Sequence, residues 1–354
     1  MPPGFAGGQT ATAVKEPLVV VRKGLYGYID HDGNTLIEPQ FYWAGGFEDG
    51  YGTAYVCGRY VLVDKTGKVL SMATPHGGPG LMPKKINGKI EFVDRAGMVK
   101  IKPMFDNAMP FSDGVAAVKT AGLWGFIDEN GHFVVPPRFD DAFYFHEGVG
   151  VVQSGDTTEL IDKSGRILAA GYDVTGGVIA EGRIPVGRDD KYGYLDLHGA
   201  VAIPLRFDDA LTYSEGLAAV KKGSKWGYID TNGSTAIPFQ FDFAGEFGNG
   251  LAPVRRGAES GFINHSGVFV FNLEFEYVAG FGSSEADDVS QFWTKAGDFG
   301  YVNTSGRVIW GPIPEPPDHP LITGWSEEGK RASCNVVSDA IRQAVMALPA
   351  DDDQ

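Results

Sequence analysis

Cysteine is nearly absent from this sequence of 354 residues, which contains only Cys57 and Cys334. They lie far apart in segments of different character, which argues against a disulfide framework or a zinc cluster and points to a reducing compartment. No stretch reaches the roughly 18 apolar residues of a membrane-crossing helix, so no membrane span is expected. Positive charge is scarce too: 30 Lys and Arg stand against 45 Asp and Glu, a formal net charge of -15. Sequence-independent binding to nucleic acid needs clustered cations, and that class is excluded. Residues Met1 to Val14 show no charged start followed by an apolar stretch, so no secretory signal is read and a cytoplasmic location is expected.

Motifs for chemistry are missing as well. There is no G-x-S-x-G elbow, phosphate loop or dinucleotide fingerprint, and the glycines of His76 to Gly80 lack the lysine and following helix that a phosphate cradle needs. The seven histidines fall at turns (His31, His132, His198, His265) or loops (His76, His146, His319) without paired ligand spacing. Asp30 to Gly33 (DHDG) opens like a calcium loop but lacks its ligand series and closing glutamate. No metal, no cofactor and no enzymatic activity are expected. Asn232, Asn264 and Asn303 begin N-x-S sequons and read as turn asparagines.

What is present is turn punctuation with ample apolar material: 50 Gly, 21 Pro, 12% aromatic and 43% hydrophobic residues. That composition suits many short strands. A repeat organises them. Acidic or amide residues recur at Asp30, Asp64, Asp94, Asp128, Asp162, Asp196, Asp230, Asn264 and Asn303, mostly 34 residues apart, and each is followed three positions later by glycine (Gly33, Gly67, Gly97, Gly131, Gly165, Gly199, Gly233, Gly267, Gly306). This is the signature of a hairpin on a type I turn, with the Asp or Asn side chain bonding backbone N–H groups ahead and glycine taking the left-handed bulge position.

An aromatic anchor follows at Phe41, Phe105, Phe139, Phe207, Phe241 and Phe275. Then come a small residue (Ala44, Ala108, Ala142, Ala210, Ala244) and a second aromatic (Phe47, Phe111, Phe145, Tyr213, Phe247, Phe281). Spacing by three predicts a tight helical turn or compact loop. Prolines such as Pro39, Pro103, Pro136, Pro204 and Pro238 mark strand ends or edges. Each unit reads as strand, tight turn, strand, aromatic loop and third strand. One such unit buries too little to fold alone, so neighbours must share a core.

The segments Lys225 to Asp230 (KWGYID), Leu123 to Asp128 (LWGFID) and Lys191 to Asp196 (KYGYLD) resemble WG repeats, a tandem β-repeat family rich in bacterial members. The resemblance covers about Val19 to Pro312. It departs where Val61, Glu91 and Glu159 replace the glycine of the motif, and units two and five are degenerate. The resemblance implies repeat architecture and a role in interaction, and supplies no catalytic residues.

The expected fold is all-β: about nine short antiparallel units in an open solenoid-like array, the alternative being a closed, propeller-like ring. Residues 1–17 are expected to be a flexible tail, 18–312 the array, 313–332 a Pro-rich linker, and 333–354 a helix with an acidic tail. The helix is predicted over Ser333 to Leu348, with Ser333 as N-cap, Pro349 as terminator, and Val337, Ile341, Val345 and Leu348 on the face that caps the last repeat. Positions that break the repeat are the candidate partner-binding residues: Tyr42, Trp43, Tyr144, Trp293, and Glu285, Asp287 and Asp288 of an extended acidic loop. The expected role is a non-enzymatic scaffold that binds another protein. In its sharper form it is an immunity or antitoxin-like protein masking a basic toxin, since an acidic surface favours association with a cationic one. The alternative is a glycan or cell-envelope binding module.

Overall fold

The computed structural model describes residues 15–22, 25–48, 50–57, 59–72, 81–94, 98–174, 179–282, 288–314, 334 and 337–348. Within them, strands β1–β34, numbered in chain order, form nine antiparallel sheets, seven of four strands and two of three. These blades, 1 to 9, span residues 18–41, 43–72, 82–105, 107–139, 141–170, 173–207, 209–241, 243–272 and 277–314. The chain divides into two compact units. Residues 1–74 with 273–354 hold blades 1, 2 and 9, and residues 75–272 hold blades 3 to 8.

The recurrent Asp and Gly behave as their spacing predicts. Asp162 Oδ1 accepts the N–H groups of Ser164 at 2.9 Å and Arg166 at 3.0 Å, while Gly165 donates to the Asp162 carbonyl at 2.8 Å. Gly165 has a φ of 82°, a left-handed conformation that costs any side chain strain.

The aromatic segment corrects the three-strand unit. In blades 2, 5 and 7 it is not a helical turn or loop, since Phe47, Phe145 and Tyr213 lie in the strands Trp43–Glu48, Asp141–His146 and Asp209–Ser214; Phe111, Phe247 and Phe281 do lie in compact segments outside the strands. Strand β14 (Phe133–Phe139) closes blade 4 on the first aromatic, and β15 (Asp141–His146) opens blade 5 with Ala142 and Phe145 inside it. A register shift between those two residues lets both face the core although they are three apart, so a bulge produces the spacing that imitates a helix. The second aromatic therefore belongs to the next blade. There it meets the preceding blade edge to face: Tyr28–Phe47 at 4.7 Å, Phe126–Phe145 at 4.8 Å, Tyr194–Tyr213 at 4.8 Å and Tyr228–Phe247 at 5.0 Å between ring centroids. Such pairs contribute about 0.5–1.5 kcal/mol beyond their buried area.

The open array is also corrected, because its first and last units would lie apart. Within the first unit, blade 9 meets blade 1. Tyr301 Oη donates to the Val19 carbonyl at 2.9 Å, and its ring packs in one cluster with Val20 and Ile29. Tyr28 Oη makes the same bond from blade 1 to Thr53 of blade 2 at 3.3 Å, and Val19 stands one repeat before Thr53. Arg307 adds a bond to the Asp32 carbonyl at 3.1 Å. This contact is the one that the propeller-like alternative requires.

Helix α1 spans Asp339–Met346, with Ser338 as N-cap accepting the Ile341 N–H. It starts later than predicted; Ser333 and Pro349 lie outside the described residues. Its apolar face is the expected one, but it covers blade 2 and not the last repeat. Val337, Ile341 and Val345 share a core with Val56, Val61 and Val69, and Leu348 packs against it. Arg59 closes the C-terminal end by donating to the carbonyls of Val345 at 3.3 Å and Leu348 at 3.2 Å, as a cation does well there. The two cysteines are not free: Cys57 and Cys334 form a disulfide. That overturns the reading of unpaired thiols, and the inference of a reducing compartment loses its footing, since disulfides persist under oxidising conditions. Of the predicted tail over 1–17, residues 1–14 lie outside the described residues, while Lys15 and Glu16 bond to Asp288 and Gly50; of the predicted linker over 313–332, residues 313 and 314 end the last strand and 315–332 lie outside the described residues, as do 349–354.

Candidate functional site

Carboxylates stitch neighbouring blades together. The residue before the glycine that opens each second strand is acidic in several blades and adopts a positive φ: 54° at Asp113, 48° at Glu147, 53° at Glu181 and 53° at Glu215. Each accepts the N–H of the corresponding glycine one blade on, with Asp113 to Gly148 at 2.6 Å, Glu147 to Gly182 at 2.9 Å, Glu181 to Gly216 at 3.0 Å and Glu215 to Gly250 at 3.0 Å. In the first unit Glu16 does the same for Gly50 at 3.0 Å. Cations one residue past the turn aspartate reach some of these acids: Lys65 on Glu16 at 3.0 Å and Lys163 on Asp113 at 3.0 Å. Burial pushes the Asp113 carboxyl up, but Lys163 and the Gly148 N–H outweigh it and hold it below the ordinary range.

A second set sits just after the first aromatic. Asp208 accepts Lys191 at 2.5 Å and the Gly223 N–H at 2.6 Å, and Asp242 accepts Lys225 at 2.5 Å and the Gly257 N–H at 2.6 Å. Asp106 pairs likewise with Lys89 at 2.6 Å. In each case the lysine bond is the largest influence and lowers the aspartate pKa. The Lys-Trp-Gly string thereby gains a structural account. Lysine ties the strand to the next aspartate, and Lys221 lies over the Trp226 ring at 6.0 Å. At the glycine, a Cβ on Gly125 would stand 2.5 Å from the Val135 carbonyl oxygen, and one on Gly227 would stand 2.8 Å from that of Ile237. Only a residue without a side chain lets the fourth strand pass so close.

The WG containing repeat family matches residues 26–57, 92–124, 124–157, 192–226 and 226–258. The chain carries WG repeats. No curated protein matches it by sequence. Among solved structures, a eukaryotic initiation factor is 10% identical with a TM-score of 0.58, over 84% of this chain and 95% of that one; the likeness is one of fold. BamB from Moraxella catarrhalis is 10% identical with a TM-score of 0.39, over 71% of this chain and 92% of that one, and carries no argument.

Against this WG-repeat framework the predicted partner-binding residues separate. Glu285 and Asp287 lie outside the described residues. Asp288 is engaged internally, 2.5 Å from Lys15 Nζ and 2.5 Å from His31 Nδ1. Burial pushes its carboxyl up, but Lys15 and His31 prevail and lower it. Asp288 therefore ties blade 9 to the N-terminal segment. Trp43 is half-buried and meets Tyr60 edge to face at 5.8 Å. Tyr42 is half-buried beside it. Trp293 sits between Tyr277 and Phe299, each 5.3 Å away, and of these Tyr277 is the exposed one.

Tyr144 is 53% exposed on β15, the first strand of its sheet, and the structure places the equally open Phe143 beside it at 48%. Sequence reasoning singled out Tyr144 and passed over Phe143. The strand bulge that would have separated Phe143 from Phe145 is not written in the residue types. The interblade carboxylates were also missed, although acid before glycine at Asp113-Gly114, Glu147-Gly148, Glu181-Gly182 and Glu215-Gly216 was a visible signal. Among the described residues no three His, Cys, Asp or Glu side chains are grouped to hold a metal, and no helix is long and apolar enough to cross a membrane.

Proposed function

We propose that this WG-repeat chain is a non-enzymatic scaffold that binds another protein. The observation that carries the reading is the Phe143 and Tyr144 pair: two adjacent aromatic side chains, about half exposed, on a strand of a rigid sheet. The blade does not need them for its own core, whose interface is supplied by Ala142 and Phe145. Exposed aromatics on a pre-ordered backbone bind at little entropic cost. The net charge of -15 supports a basic partner, since complementary charge speeds encounter, and a toxin-masking role is the sharper form of that idea.

The test is affinity capture from the native host with the wild-type chain and with Phe143→Asp and Tyr144→Asp. A captured partner should bind each variant at least about tenfold more weakly, the loss of a modest hot spot. Equal affinity of wild type and both variants, with folding verified by thermal melting, would remove this surface from the function.

A further inference from the structure

Blades 2, 3 and 5 depart from the other WG repeats at the close-approach glycine, where they carry Val61, Glu91 and Glu159. Blade 3 keeps a seven-residue last strand, Val99–Phe105. In blades 2 and 5 the last strand is only four residues long: β7 (Val69–Met72) and β18 (Ile167–Ala170), against seven for β14. In both blades a cleft opens beside the preceding blade's last strand. The blade-2 cleft, about 340 Å³, is lined by Gln40, Gly67 and Val69 and by Ile341 and Ala344 of helix α1. The blade-5 cleft, about 400 Å³, is lined by Arg138, Phe139, Ser154, Glu159, Gly165 and Ile167. Gln40, Gly67 and Val69 occupy the repeat positions of Arg138, Gly165 and Ile167.

One cleft is covered and the other is open. Under α1, Val69 is 9% exposed and Val61 is fully buried, whereas Ile167 is 51% exposed. Exposure at the Ile167 position recurs in other blades, as at Val99 and Val201. The blade-5 cleft also differs in chemistry. Glu159 stands where Val61 does and accepts the Ser154 hydroxyl at 3.2 Å. Arg138 is turned away to the Gly165 carbonyl and over the Phe139 ring, so it does not neutralise that carboxylate.

We infer that the blade-5 cleft is a docking groove for an amphipathic helix of a partner protein. The helix carries alanine-sized and branched apolar residues one turn apart, as Ile341, Ala344 and Val345 do in α1, and directs a Lys or Arg at Glu159. The chain's own structure supplies the argument: it already lays a helix of that kind on the equivalent surface of blade 2, and the change from Val61 to Glu159 adds the charge that a cation would answer. The inference rests on the protein-binding reading and names its partner class.

The probe is a fluorescent synthetic peptide with the sequence of residues 337–348, which carries the required face and an arginine. It is titrated into the full oxidised chain, whose own α1 occupies blade 2. Saturable binding is expected, weakened at least about tenfold by Ile167→Asp, an exposed position at which folding is preserved. Glu159→Gln should weaken binding less and flatten its salt dependence. Tyr144→Ala should leave it unchanged. An absence of saturable binding, or binding indifferent to Ile167→Asp, overturns the groove. Because no host partner enters this experiment, its failure leaves the scaffold reading to stand or fall on the Phe143 and Tyr144 variants.

Discussion

The aspartates of the turns share one role, repeated with small variations: an acceptor for backbone N–H groups, often with a lysine or hydroxyl beside it. Asp162 is the extreme case. The Ser164 hydroxyl is the strongest influence, the Arg166 N–H and guanidinium add to it, and the carboxyl falls to about 2. Asp106, Asp208 and Asp242 are lowered by their lysines in the same sense. A carboxyl lowered on folding takes up its proton more readily when unfolded, so it favours the fold above the unfolded value of about 3.9 and gives that up as pH drops towards 2. Buried tyrosines act at the other end. Burial raises Tyr301 to about 12, so its contribution is complete below about pH 10 and is lost as pH rises through 12. The denaturant midpoint should therefore be level from about pH 5 to 9 and fall on both sides. A midpoint that kept rising below pH 4 would contradict this account of the turns. The turn aspartates and glycines were legible in the sequence because a left-handed glycine after a type I turn is a local demand. The glycine after tryptophan was legible only as a motif, because its reason, the carbonyl of a strand ten residues later, is a tertiary contact.

At the scale of elements, the strands flanking each turn could be read from the sequence, and the first strand of each blade could not. Ala142 and Phe145 are spaced as in a helix, and only the bulge between them reconciles that spacing with a sheet. The C-terminal helix shows the complementary case. Its apolar face, Val337, Ile341 and Val345, was evident from periodicity, but where it docks depends on Arg59, on the Val61 surface of blade 2 and on the Cys57–Cys334 bond, which joins positions too distant to pair by inspection. The helix is short and packs mainly on blade 2, so the covalent tether should matter to it more than to the blades. Reduction, or Cys334→Ser, should raise hydrogen exchange over residues 337–348 while the strands of blades 3 to 8 keep their protection. Equal protection of the helix with and without the bond would show that packing and Arg59 suffice.

At the scale of the whole molecule, nine turns at one period announced nine units, and the family resemblance pointed the same way. The period is silent on what happens to the two ends, since an open array and a ring place the same residues between neighbours. The deciding residues are Val19, Asp32, Tyr301 and Arg307, each with an ordinary identity for its place in the repeat, together with Asp288, whose acidic loop reads in the sequence as a partner site and not as a tie between blades. The central claim is that blade 9 meets blade 1 as blade 1 meets blade 2. Asp32 and Arg307 report on it directly: both are exposed, with side-chain atoms 3.8 Å apart, and the native cysteines are held in a disulfide. Spin labels on Asp32→Cys and Arg307→Cys should give a narrow distance distribution at the short end of the measurable range. A broad distribution at the long distances of an open array would contradict the account.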